Sequence, residues 1–137
     1  MDYSFNLFCD KKNLKEARYF LYNAFQGHFK CESQINLLIV AIDEFCSNLI
    51  IHGHQSNPNE NIQVNVKYTS DNMVVELVDG SAFFNILDHQ DNQLLTIIED
   101  KKKGGLGILL IKKIMDKIEF AHENTKNIYR LYKKLPI

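Results

Sequence analysis

Residues 37–54 read LLIVAIDEFCSNLIIHGH, and this stretch is the strongest determinant of the fold. Apolar residues cover almost the whole circumference of the helix it would form, which is typical of a helix buried in a protein core. Ser33 is a candidate N-cap and Gly53 a candidate stop signal. We therefore predict a buried helix that runs from about residue 33 to residue 51.

Three polar side chains interrupt this apolar helix on one face. Glu44, Asn48 and His52 are spaced four residues apart, and residues at that spacing are neighbours on a helix surface. Buried polar groups need hydrogen-bonding partners, and two interpretations follow. In the structural one the three groups pair with one another, with Asp43 as an exposed, solvated neighbour. In the functional one they line a polar site, where a carboxylate acts as a base and the amide oxygen is a hard ligand suited to Mg²⁺.

Neither the histidines nor the cysteines favour a zinc site. His52 and His54 straddle the glycine that ends the predicted helix, and no third ligand lies nearby in the sequence. The cysteines Cys9, Cys31 and Cys46 are odd in number, far apart and without a C-x-x-C pair. This pattern argues against a disulfide framework and is typical of a protein in a reducing cytosol.

The rest of the chain combines strand patterns with two further helix patterns. Asp10 is positioned to cap a helix over about residues 11–29, and another helix is predicted from about residue 104 to residue 116. Alternating apolar and polar residues predict strands at residues 3–8, 62–68, 73–78, 118–121 and 128–132. Because consecutive strands pair as hairpins, we predict an α+β fold: a two-layer sandwich whose mixed, mostly antiparallel sheet carries helices on one face.

Residues 80–103 form a long, mostly polar connection. A loop of this length in a compact domain is usually disordered or functional, often as an active-site lid. It leads into KKKGGLG at residues 101–107, where glycine-rich backbone opens a helix behind three positive charges. The free N–H groups and the dipole of such a helix start favour an anion, typically phosphate. The alternative is a glycine hinge beside a solvated lysine run.

Composition restricts the class of protein. The chain has 137 residues, 45% of them hydrophobic, which is enough for a single domain with its own core. Its 16 Lys and Arg against 17 Asp and Glu give a net charge of −1. That balance disfavours direct nucleic-acid binding, which depends on neutralising phosphates. No basic leader precedes an apolar run, and polar groups interrupt the most apolar helix, so we expect a cytoplasmic protein without a membrane span.

Four segments, in this order, resemble the boxes of the GHKL superfamily, whose ATP-binding Bergerat fold is shared by gyrase and histidine kinases. AIDEFCSNLIIHGH at residues 41–54 resembles the N-box, and ELVDGSAFFN at residues 76–85 resembles the aspartate box. GGLGILLIKKIMD at residues 104–116 resembles the second glycine box, and NIYRLYKKL at residues 127–135 the closing strand. The resemblance covers essentially the whole chain. It is strongest to the anti-sigma regulatory factors that act as serine/threonine protein kinases.

This resemblance implies an ATP site with a lid over about residues 80–103. Asn48 would hold Mg²⁺ between the phosphates, and Glu44 would be the general base or orient the attacking hydroxyl. Asp79, which by itself is more typical of a turn, would accept a hydrogen bond from the adenine amino group. The other nucleotide-binding positions that it implies are His52, Ser81, Lys103, Gly104, Gly105, Leu106 and Gly107, the last three through backbone N–H groups.

The sequence departs from the family pattern at two positions. Ser81 stands where the family has a glycine, and Phe83 where it has a proline. The Ser81 side chain either crowds the adenine base or replaces a water contact with its hydroxyl. Glu44, in contrast, is intact, which favours a catalytic protein.

The implied function is an ATP-dependent serine/threonine protein kinase that binds a sigma factor and phosphorylates a small anti-anti-sigma (STAS-type) antagonist. The alternative is a non-catalytic module in which ATP sets the affinity for a protein partner. A detached catalytic domain of a sensor histidine kinase fits less well, since the sequence has no phospho-acceptor helix pair. The predicted edge strand at residues 3–8 also predicts a homodimer formed by strand pairing.

Overall fold

The computed structural model describes residues 2–53, 60–80 and 105–136. In chain order the elements are β1 (Asp2–Phe8), a 3₁₀ turn (Lys11–Asn13), α1 (Leu14–Phe25), α2 (Glu32–Asn48), a π-helical turn (Leu49–Gly53), β2 (Asn61–Tyr68), β3 (Asn72–Asp79), α3 (Gly105–Ile114), β4 (Lys117–Glu123) and β5 (Lys126–Lys134). The predicted lid lies outside the described residues, apart from Gly80.

The five strands form one sheet in the order β1-β2-β3-β5-β4. Alternate residues of β2 and β3 are buried under the helices, because successive side chains of a strand point to opposite faces. The opposite face of the sheet carries polar, hydrogen-bonded side chains such as Ser4, Asn65 and Glu76. The predicted α+β fold with helices on one face is confirmed. The sheet is not mixed, however, since all four strand pairs in the described residues are antiparallel.

Two predicted helix boundaries are wrong. The Asp10 carboxylate does accept a hydrogen bond from the Lys12 N–H (3.1 Å), but α1 ends at Phe25 instead of residue 29. The chain leaves helical conformation at Gln26, whose ψ is 134°. Gly27 follows with a φ of 86°, the left-handed conformation that a type II turn requires at this position and that glycine adopts readily. Cys31, in extended conformation, takes the N-cap position of α2 that Ser33 was expected to hold.

The helices connect opposite ends of the sheet. At one end, which we call the Asp79 end, Asp79 is the cross-strand neighbour of Ile62 and Asn127. At the other, the Tyr68 end, the Tyr68 hydroxyl donates to the carbonyl of Ala24 in the last turn of α1. The next helix, α2, therefore begins near the Tyr68 end, and its 17 residues, about 25 Å long, carry the chain to the Asp79 end.

The third helix also begins at the Asp79 end. It stops at Ile114, and two residues later the Asp116 N–H donates to the Tyr132 carbonyl (2.8 Å). Tyr132 pairs with Lys117 and Val74, which places this contact near the Tyr68 end. Because α3 packs against α2, the C-terminus of α2, the C-terminus of β3 and the N-terminus of α3 meet at the Asp79 end.

One segment of the described residues, Glu32–Ile51, is long and apolar enough to cross a bilayer by length and composition. More than half of its most apolar window is buried inside the protein. Its core side chains include Ile42 and Phe45, both inaccessible to solvent. A central core helix has the same composition, so the segment is only weak evidence for a membrane span.

Candidate functional site

A row of three polar side chains crosses the sheet at the Asp79 end. Asp79 is only 4% exposed, and its Oδ1 accepts a hydrogen bond from Asn127 Nδ2 (3.0 Å). Asn127 is fully buried, and its Oδ1 lies 2.8 Å from His122 Nδ1. A carboxylate only accepts, so the Asn127 amide must present its NH₂ group to Asp79 and its oxygen to His122, whose Nδ1 then carries the proton.

The register of the sheet brings these residues together. Asn127 is the cross-strand neighbour of Asp79 on β3 and of His122 on β4. The two-residue loop between β4 and β5 sets that register: Asn124 and Thr125 both have positive φ, 51° and 65°, as a type I′ hairpin turn requires. A slip of one residue would move the Asn127 side chain to the opposite face of the sheet. The hairpin therefore holds an amide donor against a buried carboxylate.

The end of α2 supplies a second pair of polar residues. Asn48 is the last residue of α2 and is buried, while Glu44, one turn earlier, is partly exposed. Among the residues that the structure describes, the Glu44 carboxylate makes no hydrogen bond or ion pair. The structure therefore does not support the interpretation in which Glu44 and Asn48 satisfy each other.

The neighbouring carboxylate, Asp43, has a different environment. We predicted an exposed, solvated side chain, and this is wrong. Only 19% of the Asp43 side chain is exposed, and its Oδ1 accepts a hydrogen bond from Arg18 NH1 at 3.0 Å. This contact joins α2 to α1. Of two adjacent carboxylates, one is thus used for helix packing, and the other is available to a ligand.

A π-helical turn, Leu49–Gly53, directly follows Asn48 at the end of α2. The side chain of His52 lies outside the described part of the chain, so its predicted place on the Glu44–Asn48 face stays a prediction. Single π turns in α-helices are frequent at functional sites.

The glycine-rich segment opens α3, as predicted. Gly105, Leu106 and Gly107 form the first turn of this helix, at the same end of the sheet as Asp79. The first N–H groups of a helix have no partner within the helix, and its dipole favours a negative charge there. Two of the other predicted nucleotide-binding residues, Lys103 and Gly104, lie outside the described residues, as does Ser81.

Asn127 and His122 were not among the predicted site residues. Asn127 is the first residue of the NIYRLYKKL segment. Its position at the start of this last strand was the one sequence signal that could have marked it as a site residue. Its partnership with Asp79 depends on the pairing of β3 with β5, which are not consecutive strands. Sequence patterns report which residues of a strand share a face, but not which strands are neighbours.

The residues that meet at the Asp79 end suit a nucleotide with a divalent cation. A buried carboxylate can accept a hydrogen bond from an amino group on a base. The amide oxygen of Asn48 is a hard donor of the kind that Mg²⁺ takes, usually together with phosphate oxygens and water. The start of α3 suits phosphate. These groups lie on three separate elements, α2, β3 and α3, so a ligand would bridge them.

Comparisons with known proteins identify the family of the chain. The chain matches the histidine kinase-like ATPase domain family over residues 9–133. It is 22% identical over 101 residues to an anti-sigma F factor of Clostridium beijerinckii, an alignment that covers 74% of this chain and 71% of that protein.

Two solved structures have a similar fold. The RsbU and RsbW domains of a Mycobacterium tuberculosis protein give a TM-score of 0.65 at 15% identity, covering 98% of this chain but only 32% of that one. The SiaB–SiaC complex of Pseudomonas aeruginosa gives 0.59 at 13% identity, covering 96% and 89%.

The family match extends over most of the chain, and it includes α2, β3 and the start of α3. The predicted resemblance to the GHKL superfamily and its anti-sigma regulatory branch is confirmed. An ATPase domain implies ATP binding, which agrees with the groups gathered at the Asp79 end. The chain belongs to the histidine kinase-like ATPase domain family.

Proposed function

We propose that this protein is an ATP-dependent serine/threonine protein kinase that acts on a partner-switching regulator of a sigma factor. The observation that carries the proposal is the Glu44 carboxylate. It lies one helical turn from the buried Asn48 and makes no hydrogen bond or ion pair with the described residues. Its neighbour Asp43 is paired with Arg18. The similarity to an anti-sigma F factor supports the class of partner.

The nucleotide would bind across the three elements at the Asp79 end. Asp79, held by Asn127, would accept a hydrogen bond from the adenine amino group and so select ATP over GTP. Backbone N–H groups of Gly105, Leu106 and Gly107 would contact the phosphates, with His52, Ser81, Lys103 and Gly104 nearby. Asn48 would provide an oxygen ligand to Mg²⁺, which when bound neutralises charge on the phosphates.

Glu44 would orient the hydroxyl of a serine on the partner protein and accept its proton. In phosphoryl transfer the protein mostly positions groups and stabilises charge. A general base contributes typically 10²- to 10⁴-fold to the rate. We propose the anti-anti-sigma (STAS-type) antagonist as the phospho-acceptor and the sigma factor as the second partner, in the cytoplasm. A homodimer formed along β1, an edge strand of the described sheet, completes the proposal.

The alternative function is a non-catalytic module in which ATP sets the affinity for the sigma factor or another regulator. Two sequence features favour it: Ser81 replaces the family's glycine beside the adenine position, and Phe83 replaces its proline. Both proposals share the nucleotide site and differ only in the use of Glu44.

The decisive experiment compares Glu44→Ala with Asp43→Ala. Both variants remove one carboxylate from the same turn of α2, but only Asp43 is engaged in an ion pair. We expect Glu44→Ala to lower phosphate transfer from ATP to a purified STAS-type protein by about 100-fold or more. Asp43→Ala should retain most of the transfer. Calorimetric titration with Mg·ATP should give similar affinities for both variants and the wild type.

Two results would contradict the kinase proposal. Undiminished transfer by Glu44→Ala would remove Glu44 from the mechanism. A wild-type protein that binds Mg·ATP but yields no phosphoprotein with any STAS-type protein or sigma factor from the same organism would favour the non-catalytic module. Failure to bind Mg·ATP at all would remove both functions.

A further inference from the structure

Two apolar side chains of α2 are exposed although the helix is otherwise the core of the fold. Leu37 is 49% exposed and Val40 is 51% exposed. Tyr19 on the adjoining α1 is also exposed. We call Tyr19, Leu37 and Val40 the outer apolar patch. Three of the four large apolar side chains that are exposed in the described residues belong to it, and the fourth is Phe8 on β1.

The outer apolar patch adjoins Glu44 on the same face of α2. Val40 precedes Glu44 by four residues and Leu37 by seven, a spacing that places all three on one side of a helix. At 1.5 Å per residue the two apolar residues lie about 6 Å and 10 Å from Glu44 along the helix axis. Leu37 and Val40 are therefore not isolated exposed side chains, because they lie beside the proposed catalytic residue on the same face of α2.

A groove between α1 and α2 extends the same surface. Its volume is about 510 Å³, and it is lined by Lys15, Arg18, Tyr19, Tyr22, Asn36 and Ile39. Arg18 is neutralised by Asp43, whereas Lys15 makes no ion pair within the described ranges. The groove therefore combines apolar walls with one unneutralised positive charge, which complements a carboxylate on a partner.

The usual size of a protein interface indicates how far a contact at Glu44 would extend over α2. A specific complex buries roughly 800 Å² on each partner, which corresponds to a disc of about 16 Å radius. A contact of this size centred on Glu44 would also cover Val40 and Leu37, about 6 Å and 10 Å away along the helix. Exposed apolar side chains such as these suit the buried part of an interface.

We propose that the outer apolar patch and the adjoining groove are the docking surface for the phospho-acceptor protein. That partner places apolar side chains against Leu37 and Val40 and directs a carboxylate towards Lys15. The inference rests on the proposed kinase function, because it takes Glu44 as the residue that receives the hydroxyl. A second copy of this chain is the less favoured occupant, since β1, the strand proposed for dimer formation, lies at the edge of the sheet.

The test uses the double variant Leu37→Ser/Val40→Ser, with Phe8→Ser as the matched control. Phe8 is exposed to the same extent, 49%, but lies on β1 and not on α2. Because β1 is the strand proposed for dimer formation, this control also shows whether a change there affects the KM. The probes are the purified STAS-type proteins of the same organism, assayed for phosphate transfer over a range of their concentrations. We expect the double variant to raise at least tenfold the KM for the STAS-type protein that the wild type phosphorylates. The kcat at saturation and the Kd for Mg·ATP should change less than twofold, and Phe8→Ser should leave all three unchanged.

Each other outcome overturns the docking proposal in a recognisable way. An unchanged KM in the double variant shows that the acceptor docks elsewhere. Loss of the dimer by light scattering, with KM unchanged, makes a second copy the occupant. Loss of sigma-factor binding alone makes the sigma factor the occupant. If the wild type phosphorylates none of these proteins, the kinase function itself fails, and the docking proposal fails with it.

Discussion

The two ends of the sheet use polar side chains in different ways. At the Tyr68 end, polar groups join helix ends to strands: Tyr68 donates to the Ala24 carbonyl, and Lys133 Nζ donates to the Ile114 carbonyl (2.9 Å). At the Asp79 end, the bonds run between side chains of neighbouring strands, from His122 to Asn127 to Asp79. One end closes the termini of α1 and α3, and the other positions a carboxylate.

This difference indicates that the polar contacts at the Tyr68 end stabilise the fold, whereas we propose that those at the Asp79 end serve ligand binding. The carbonyls in the last turn of a helix need a donor from outside the helix, so the contacts at the Tyr68 end satisfy groups that the fold itself leaves open. A carboxylate buried in an apolar region is costly for stability unless it is hydrogen-bonded. The hydrogen bond from Asn127 offsets part of this cost for Asp79, but an apolar residue at the same position would not carry the cost at all, which is consistent with a role in binding. Substitutions at the two ends should separate these effects.

The largest effect is expected at the Asp79 end, from Asn127→Ala. The Asp79 carboxylate would lose its amide donor while remaining buried, so the free energy of unfolding should fall by about 1–3 kcal/mol. The carboxylate would also lose its fixed orientation, and we expect the Kd for Mg·ATP to rise tenfold or more. Urea unfolding and calorimetric titration measure the two quantities. Asn127→Ser, which keeps a shorter donor, should recover part of both losses.

A loss of stability with unchanged ATP affinity would contradict this difference between the two ends. Asp79 and Asn127 would then form a structural pair like those at the Tyr68 end. The proposed selection of adenine would have to reside elsewhere. Titration with Mg·GTP provides the second readout, because a misplaced Asp79 should discriminate less between the two nucleotides.

At the Tyr68 end the opposite pattern is expected from Tyr68→Phe. The change removes one hydroxyl and leaves the Ala24 carbonyl without its side-chain donor, which should lower the free energy of unfolding by about 1–2 kcal/mol. The ring remains to stack on His28, with centroids 3.9 Å apart. The Kd for Mg·ATP should stay within twofold of the wild type. A loss of affinity comparable to that of Asn127→Ala would show that the two ends are coupled.

Local sequence patterns were sufficient for most of the fold. The strands follow from alternation alone, since β2 and β3 each bury every second residue. The end of α1 was missed although Gly27 is a stop signal, because the apolar periodicity continues through Phe29 and outweighed it. The π-helical turn after Asn48 had no signal in the sequence. Its residues are as apolar as those of the preceding helix, and the change in hydrogen bonding depends on packing.

Sequence analysis identified the residues of the candidate site whose role follows from residue type and local spacing, but not those whose role depends on strand order. Glu44, Asn48 and Asp79 were selected by spacing and by resemblance, and the fold does bring Asn48, Asp79 and the start of α3 to one end of the sheet. Asn127 and His122 were missed because their role requires β5 to lie between β3 and β4. That order is a property of long-range pairing. Local alternation can thus predict that a polar residue in a strand is buried, but it cannot identify the residue on another strand that forms a hydrogen bond with it.

The smallest effect is expected midway between the two ends, at Glu76 on the open face of the sheet. Its carboxylate accepts hydrogen bonds from Arg130 Nε (3.0 Å) and Asn65 Nδ2 (3.1 Å) and lies 3.6 Å from Lys67 Nζ. Partial burial raises the pKa of Glu76, but these hydrogen bonds and positive charges outweigh it and hold the pKa below its ordinary value of 4.5. A carboxylate with a lowered pKa in the folded state stabilises the protein above the pKa of the unfolded state. That contribution is lost as the pH falls through the folded value.

We therefore expect Glu76→Gln to be less stable than the wild type at pH 7 by under about 1 kcal/mol, since the ion pairs are partly exposed. The difference should begin to shrink as the pH falls below about 4.5, where the carboxylate of the unfolded chain becomes protonated. It should be lost once the pH falls through the lower pKa of Glu76 in the folded protein. Urea unfolding of both proteins at pH 7, 5, 4 and 3 measures it. A difference that stays constant with pH would assign the effect to the shape of the side chain and not to its charge. Because Glu76 faces away from the helices, its loss should leave the Kd for Mg·ATP unchanged, which separates the open face from the Asp79 end only a few residues along the same strand.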